Sequence, residues 1–206
     1  MQLRTAADIT AFIIGDPRRR AILDAVRRQR LPDWAVGAGF IRSAVWDALH
    51  GYAEPTTLSD VDVLFFDSAE VSREREAALE RALAEAMADV PWSVKNQARM
   101  HQRNGDAPYA DTADALRFWL ETPTAVAIRI ADDGGAQLLA PFGVEDLLGM
   151  ASRPTPRGRE KLSQYPSAHA WKELAGALAG GPHPRSRSVG VPCGNGLSVT
   201  PGACRT

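Results

Sequence analysis

Hydrophobic and polar residues alternate along the chain in blocks, and the spacing within each block predicts its structure. Thr5 to Ile13 reads as a short helix, with Thr5 and Asp8 spaced as a capping pair. Asp16-Pro17 then restarts the chain. Asp16 suits an N-cap and Pro17 the first helical position, where its missing N–H does no harm. Ile22, Leu23 and Val26 give this second helix an apolar stripe on an arginine-rich surface, and Leu31-Pro32-Asp33 ends it. Trp34-Ala35-Val36 predicts a brief buried strand that runs into Gly37-Ala38-Gly39. A third helix follows to about His50, stopped by a C-capping Gly51.

The spacing changes at Val61–Phe66, a near-continuous apolar run rich in Val and Phe and bounded by Ser59-Asp60 and Asp67-Ser68. Its length and β-branched content predict a strand covered on both faces. Leu79, Leu83 and Met87 recur every four residues in a helix over 71–88, and Trp92–Asn96 reads as another strand. Asp111 and Asp114 cap a helix carrying Leu116, Trp119 and Leu120. The runs 124–131 and 136–140 flank Asp132-Asp133-Gly134-Gly135, a hairpin signal. Short helices are expected over 144–150 and 168–179. Strands alternate with helices early and close with a hairpin, which predicts an α+β or α/β fold with a sheet of four to five strands. From Gly180 onward Gly, Pro, Ser and Arg dominate and the apolar period vanishes. Residues 1–179 are therefore expected to form one domain and 180–206 a disordered tail.

Bulk composition narrows the function classes. Apolar residues make up 45% of the 206, enough for a substantial core. The net charge of −1 provides no overall basic field for a nucleic-acid backbone; a local patch remains compatible with such an acceptor, which composition does not support. No apolar run approaches the ~20 residues needed to cross a bilayer, and no signal-peptide pattern opens the chain. A cytoplasmic protein without membrane partners is expected. Cys193 and Cys204, both near the C-terminus, read as free thiols.

The chemistry concentrates in Asp60-Val61-Asp62-Val63-Leu64-Phe65-Phe66. Residues two apart on a strand point to one face, with Cα atoms roughly 6.5 Å apart. Asp60 and Asp62 are thus placed to converge on one metal site or a metal pair. Hard divalent cations such as Mg²⁺ take carboxylate oxygens, and two such ions about 4 Å apart bracket an in-line phosphoryl displacement. Without a cation, adjacent carboxylates repel and one pKa rises. A bare pair of aspartates is also what a solvated strand end looks like; direction separates the readings, because here the apolar run follows the acidic pair.

Gly37-Ala38-Gly39 is the second feature, after a short apolar strand and at a helix start. Glycines let backbone N–H groups approach a phosphate, and the helix N-terminus adds partial positive charge. The dinucleotide fingerprint and the P-loop lysine are both missing. Together the two features resemble the DNA polymerase beta-like nucleotidyltransferase superfamily, which pairs a glycine-containing turn at a helix start with an acidic pair on the next strand. The resemblance runs through Trp34–Tyr52, Val94–His101, Glu121–Val126 and Ala140–Leu147, where the chain looks like a bacterial family of small nucleotidyltransferases. It implies a small mixed sheet flanked by helices, Mg²⁺ on Asp60 and Asp62, and transfer of a nucleoside monophosphate from an NTP such as ATP to an unidentified acceptor.

The resemblance also sets expectations for single residues. Gly37, Gly39, Arg42 and Asn96 are expected to bind the nucleotide, with Arg42 one turn into the helix that Gly39 opens. Asn96 is preferred over Lys95, since alternate strand residues face opposite sides. Reactive members of the superfamily usually carry a third carboxylate on a later strand; Trp92–Asn96 offers Asn96 there, so Glu121 is the candidate third catalytic carboxylate beside Asp60 and Asp62. Trp46, Trp92, Trp119 and Trp171 read as core, and Trp34 as undecided. The alternative function is a catalytically silent nucleotide-binding or regulatory module of the same fold.

Overall fold

A computed structural model describes residues 2–131 and 133–163. The expected 168–179 helix, the 180–206 tail and both cysteines lie outside the described residues.

Local chemistry sets the first elements. Helix α1 (Ala6–Gly15) begins at a reciprocal capping box, Thr5 accepting from the Asp8 N–H while the Asp8 carboxylate accepts from the Thr5 N–H. Helix α2 (Pro17–Arg28) starts at Asp16, whose side chain accepts from the Arg19 N–H, with Pro17 at its head. Strand β1 (Ala35–Gly37) is three residues long and wholly buried. Helix α3 (Gly39–His50) ends at Gly51, which adopts φ 69°. Strand β2 (Val61–Phe65), helix α4 (Arg73–Ala86) and strand β3 (Trp92–Asn96) form a parallel crossover unit. Then come helices α5 (Gln97–Asn104) and α6 (Thr112–Leu116), the hairpin β4 (Ala127–Ile130) and β5 (Ala136–Leu139), and the short helices α7 (Glu145–Leu148) and α8 (Pro156–Ser163).

The five strands form one mixed sheet in the order β3-β2-β1-β4-β5. Strand β1 is antiparallel to both its neighbours, with Gly37 opposite Asp62 on one side and Ala127 on the other. On one face Val36, Val61, Val63, Phe65 and Val94 join Ile9, Leu23, Ile41 and Leu83 of α1 to α4 in the main core. On the other, Ala35, Leu64, Ala127 and Leu139 meet Leu116 of α6, with Trp119 packed alongside. Helices α1 to α4 contact β5, β4, β2 and β3 respectively. The cleft described below opens beside Asp62 and Leu64 of β2 and Ser93 and Lys95 of β3.

Helices α5 and α8 are absent from the expectations drawn from the pattern. Both are eight residues long and mostly polar, so neither shows an apolar period. The signals for α5 were its ends: Asn96 caps it by accepting from the Ala98 N–H, and Gly105 closes it at φ 68°. Helix α6 stops at Leu116, so Trp119 and Leu120 lie in the segment after it. The strand expected over 124–131 shrinks to β4 because Thr124 and Ala125 return their N–H groups to the Glu121 carbonyl.

Candidate active site

Asp60 lies immediately before β2 and Asp62 within it, and with Leu64 they line a single cleft of about 550 Å³. Across from them stand Ser93 and Lys95 of β3, in register with Asp62 and Leu64 respectively. Burial and then the neighbouring Asp60 carboxylate push the Asp62 carboxyl up to about 6, against a hydrogen bond from Ser93 and the charge of Lys95. Lys95 Nζ is held 2.9 Å from Glu80 Oε1 and 3.0 Å from the Val94 carbonyl oxygen. Asp60 Oδ1 accepts from the Ser59 hydroxyl at 2.9 Å.

On the β1 side the cleft is closed by Ala38, Gly39 and Arg42. Ala38 adopts φ 53°, ψ −123°, a conformation that glycine favours, and its N–H donates to the Val126 carbonyl at 3.0 Å. This strained junction is a site feature that sequence reasoning missed, since an alanine between two glycines gives no sign of it. No side chain caps α3, so its first turn opens into the cleft beside Gly39. Gly37 does not line the cleft. A Cβ there would lie 3.0 Å from the Val126 carbonyl oxygen and 3.3 Å from Ala127 Cβ, so this glycine serves strand packing.

Arg42 is largely buried, and burial lowers its pKa while Glu121 and Asp60 act to raise it. Its Nη1 lies 4.0 Å from Glu121 Oε2, and its guanidinium sits over the Trp46 ring at 5.5 Å. Glu121 also reaches the cleft, with Oε1 accepting from the Ser152 hydroxyl at 2.8 Å. Both its oxygens therefore face partners.

Asn96 requires a correction. It is fully buried; its amide donates to the Asp67 and Glu70 carbonyls and its oxygen accepts from the Asp67 and Ala98 N–H groups. Sharing a face with Trp92 and Val94 directs it into the helical layer, and the opposite face presents Ser93 and Lys95 to the cleft. Trp119 packs on the smaller core, as its spacing predicts, and also lines the cleft beside Phe118. Trp34 is buried. Asp47, whose place in the sequence reads as a plain helix-face position, accepts from the Thr56 N–H and hydroxyl and pins the loop that leads to Asp60.

The far wall comes from α5, the 118–121 segment and α8, adding Arg103, Arg157 and Lys161. Arg157 is committed to structure, pairing with the buried Asp106 and with Glu160, and donating to the Asn104 carbonyl at 3.2 Å. No group of three or more His, Cys, Asp or Glu side chains is gathered for a metal among the described residues. The donor set at the aspartates is two carboxylates facing open cleft, which suits a hard cation whose remaining positions are filled by water and substrate oxygens.

A five-stranded mixed sheet with an acidic pair at the start of one strand, beside a glycine-containing turn that opens a helix, defines a nucleotidyltransferase fold. A family model described as nucleotidyltransferase matches residues 24–177, and the chain belongs to that family. A solved NMR structure described as revealing a CCA-adding enzyme head domain is 31% identical, covers 84% of this chain and 93% of its own, and superposes with a TM-score of 0.69. A tRNA-processing enzyme in an apo form is 17% identical over 76% of this chain and 43% of its own, with a TM-score of 0.47. No curated protein matches. The protein is a nucleotidyltransferase. No described helix is long and apolar enough to cross a membrane.

Proposed function

We propose that the protein moves a nucleoside monophosphate from an NTP to an acceptor hydroxyl, with Mg²⁺ held by Asp60 and Asp62. The observation that carries this reading is the pair of carboxylates at the start of one strand, both lining a cleft whose flank is a helix start with Gly39 and Arg42. A divalent cation bound there offsets the repulsion between the two carboxylates and neutralises charge on the phosphates. The first-turn N–H groups of α3 and the Arg42 guanidinium receive the triphosphate, and burial strengthens the pull of that arginine on phosphate oxygens. The acceptor oxygen bonds to the α-phosphorus as the bond from that phosphorus to the bridging oxygen breaks. Pyrophosphate leaves, and the hydroxyl proton passes to water.

Glu121 fits a positioning role better than that of a third catalytic carboxylate. Its hydrogen bond from Ser152 and its charge opposite Arg42 orient the arginine toward the cleft. The aromatic pair Phe118 and Trp119 supplies apolar surface for a base.

A thermal-shift screen of NTPs tests the reading. Mg²⁺ and an NTP together should raise the melting temperature of the wild type beyond either alone, and this synergy should vanish in Asp60→Ala and Asp62→Ala. Equal synergy in the variants removes the aspartates from the site. Synergy without transfer of label from NTP to any extract component, tRNA included, describes a silent nucleotide-binding module instead.

A further inference from the structure

Beside the cleft, on the outer side of β3, a groove of about 430 Å³ runs between α4 and α5. It is lined by Arg73, Lys95, Arg99 and Arg103 against Glu76 and Glu80. The two carboxylates are engaged: Glu76 takes the Arg99 guanidinium and the Asn96 N–H, and Glu80 takes Lys95 and the Val94 N–H. Arg73 and Arg103 have no ion-pair partner among the described residues, and both are exposed. The groove thus keeps two spare positive charges in a protein whose net charge is −1. Lys95 and Arg103 line both the groove and the cleft, so the two spaces adjoin.

Strand order gives this groove a direction. The Asp60–Asp62 pair is at the start of β2; the α3 start with Arg42 follows β1 on one flank, and Lys95 is on β3 on the other. Transfer in line requires the leaving pyrophosphate and the attacking hydroxyl to lie on opposite sides of the transferred phosphorus. With the triphosphate on the β1 flank, the acceptor approaches from the β3 flank, along the groove. We propose that Arg73 and Arg103 form an anion subsite that holds a phosphate group of the acceptor, so the acceptor is itself a phosphorylated molecule. This rests on the transfer reading for its direction, but the binding it predicts needs no turnover. An arginine fork suits a phosphate oxygen pair, and its exposure makes the attraction salt-dependent. A nucleic-acid end and a small phosphomonoester share this chemistry.

The test is titration of the full chain in EDTA with phenyl phosphate and, separately, with a single-stranded hexaribonucleotide, read by backbone amide shifts. Shifts should centre on the start of α4 and on residues 95–103, and Arg73→Ala and Arg103→Ala should each weaken binding by roughly tenfold. Arg42→Ala should leave this binding unchanged. Both groove variants replace exposed side chains, and unchanged melting temperatures would confirm that they fold. Binding of both probes identifies a phosphate site that serves small acceptors; binding of the hexaribonucleotide alone identifies a nucleic-acid end. The proposal is overturned if neither probe shifts the groove, or if both shift only residues 39–42 with no effect of the groove variants. Loss of transfer in the aspartate variants would not bear on these outcomes, and an empty groove would leave the aspartate chemistry standing.

Discussion

Asp62 carries its functional cost on its own strand. Its pKa of about 6 means that the native protein binds this proton more tightly than the unfolded chain does. The metal-free protein therefore loses stability as pH rises from the ordinary carboxylate range to beyond about 6, and Asp62→Asn removes that loss. In EDTA at about pH 8 the variant should be more stable than the wild type by roughly 1–3 kcal/mol, with the difference fading below about pH 4. Thermal melts across that range check it, and a variant less stable than wild type at the alkaline end contradicts the burial argument. The two glycines of the turn should separate in the same way. Gly37→Ala should cost roughly 1–3 kcal/mol, because the new methyl group meets the Val126 carbonyl and the Ala127 side chain. Gly39→Ala meets nothing closer than Leu58 Cδ2 at 3.8 Å, so it should leave stability nearly intact yet shrink the nucleotide-dependent melting shift. Equal destabilisation by both substitutions would mean that Gly39 serves packing too. The acidic pair was legible because strand alternation is rigid. Asn96 was misread for the same reason, since alternation says which residues share a face but not which face meets the helices.

At the scale of elements, the strands and long helices follow from apolar spacing, and the polar elements that build the far wall do not. Helix α8 is fastened by three contacts that no spacing announces. Thr155 donates its hydroxyl to the Trp119 carbonyl and its N–H to the Leu120 carbonyl, and Gly158 packs against Leu120. A Cβ on Gly158 would fall 2.1 Å from the Leu120 carbonyl oxygen, a backbone atom that can move only if the wall moves. Gly158→Ala should therefore push α8 off the 119–121 segment, lowering stability by roughly 1–3 kcal/mol and weakening nucleotide binding more than Gly37→Ala does. Melting curves and nucleotide titrations of the pair decide it; unchanged nucleotide affinity would separate α8 from the site. The charged network around Glu76 and Asn96 illustrates the same limit. Each polar residue there looks solvent-facing in sequence, and only the crossover from β2 through α4 to β3 brings them together as a buried brace.

For the whole molecule, charge is arranged rather than accumulated. The net charge is −1, yet Arg42, Lys95, Arg103 and Lys161 line one cleft with Asp60 and Asp62. Composition alone hides this, because most of the other arginines are spread over the helices. Sheet order supplies the arrangement, placing the acidic strand between the turn that opens α3 and the lysine-bearing strand β3. Family and fold were legible because the turn and the acidic strand carry their signal in a short stretch. The acceptor was not, since the groups proposed to touch it, Arg73 and Arg103, sit on two separate helices and meet only in the fold. That Asp60 and Asp62 carry nucleotidyl transfer is tested by Mg²⁺-dependent pyrophosphate release from NTP by the full chain in the presence of cell extract. Release should be robust in the wild type, absent in EDTA, and reduced to background in Asp60→Ala and Asp62→Ala; release that continues undiminished in both variants would remove the two aspartates from the reaction.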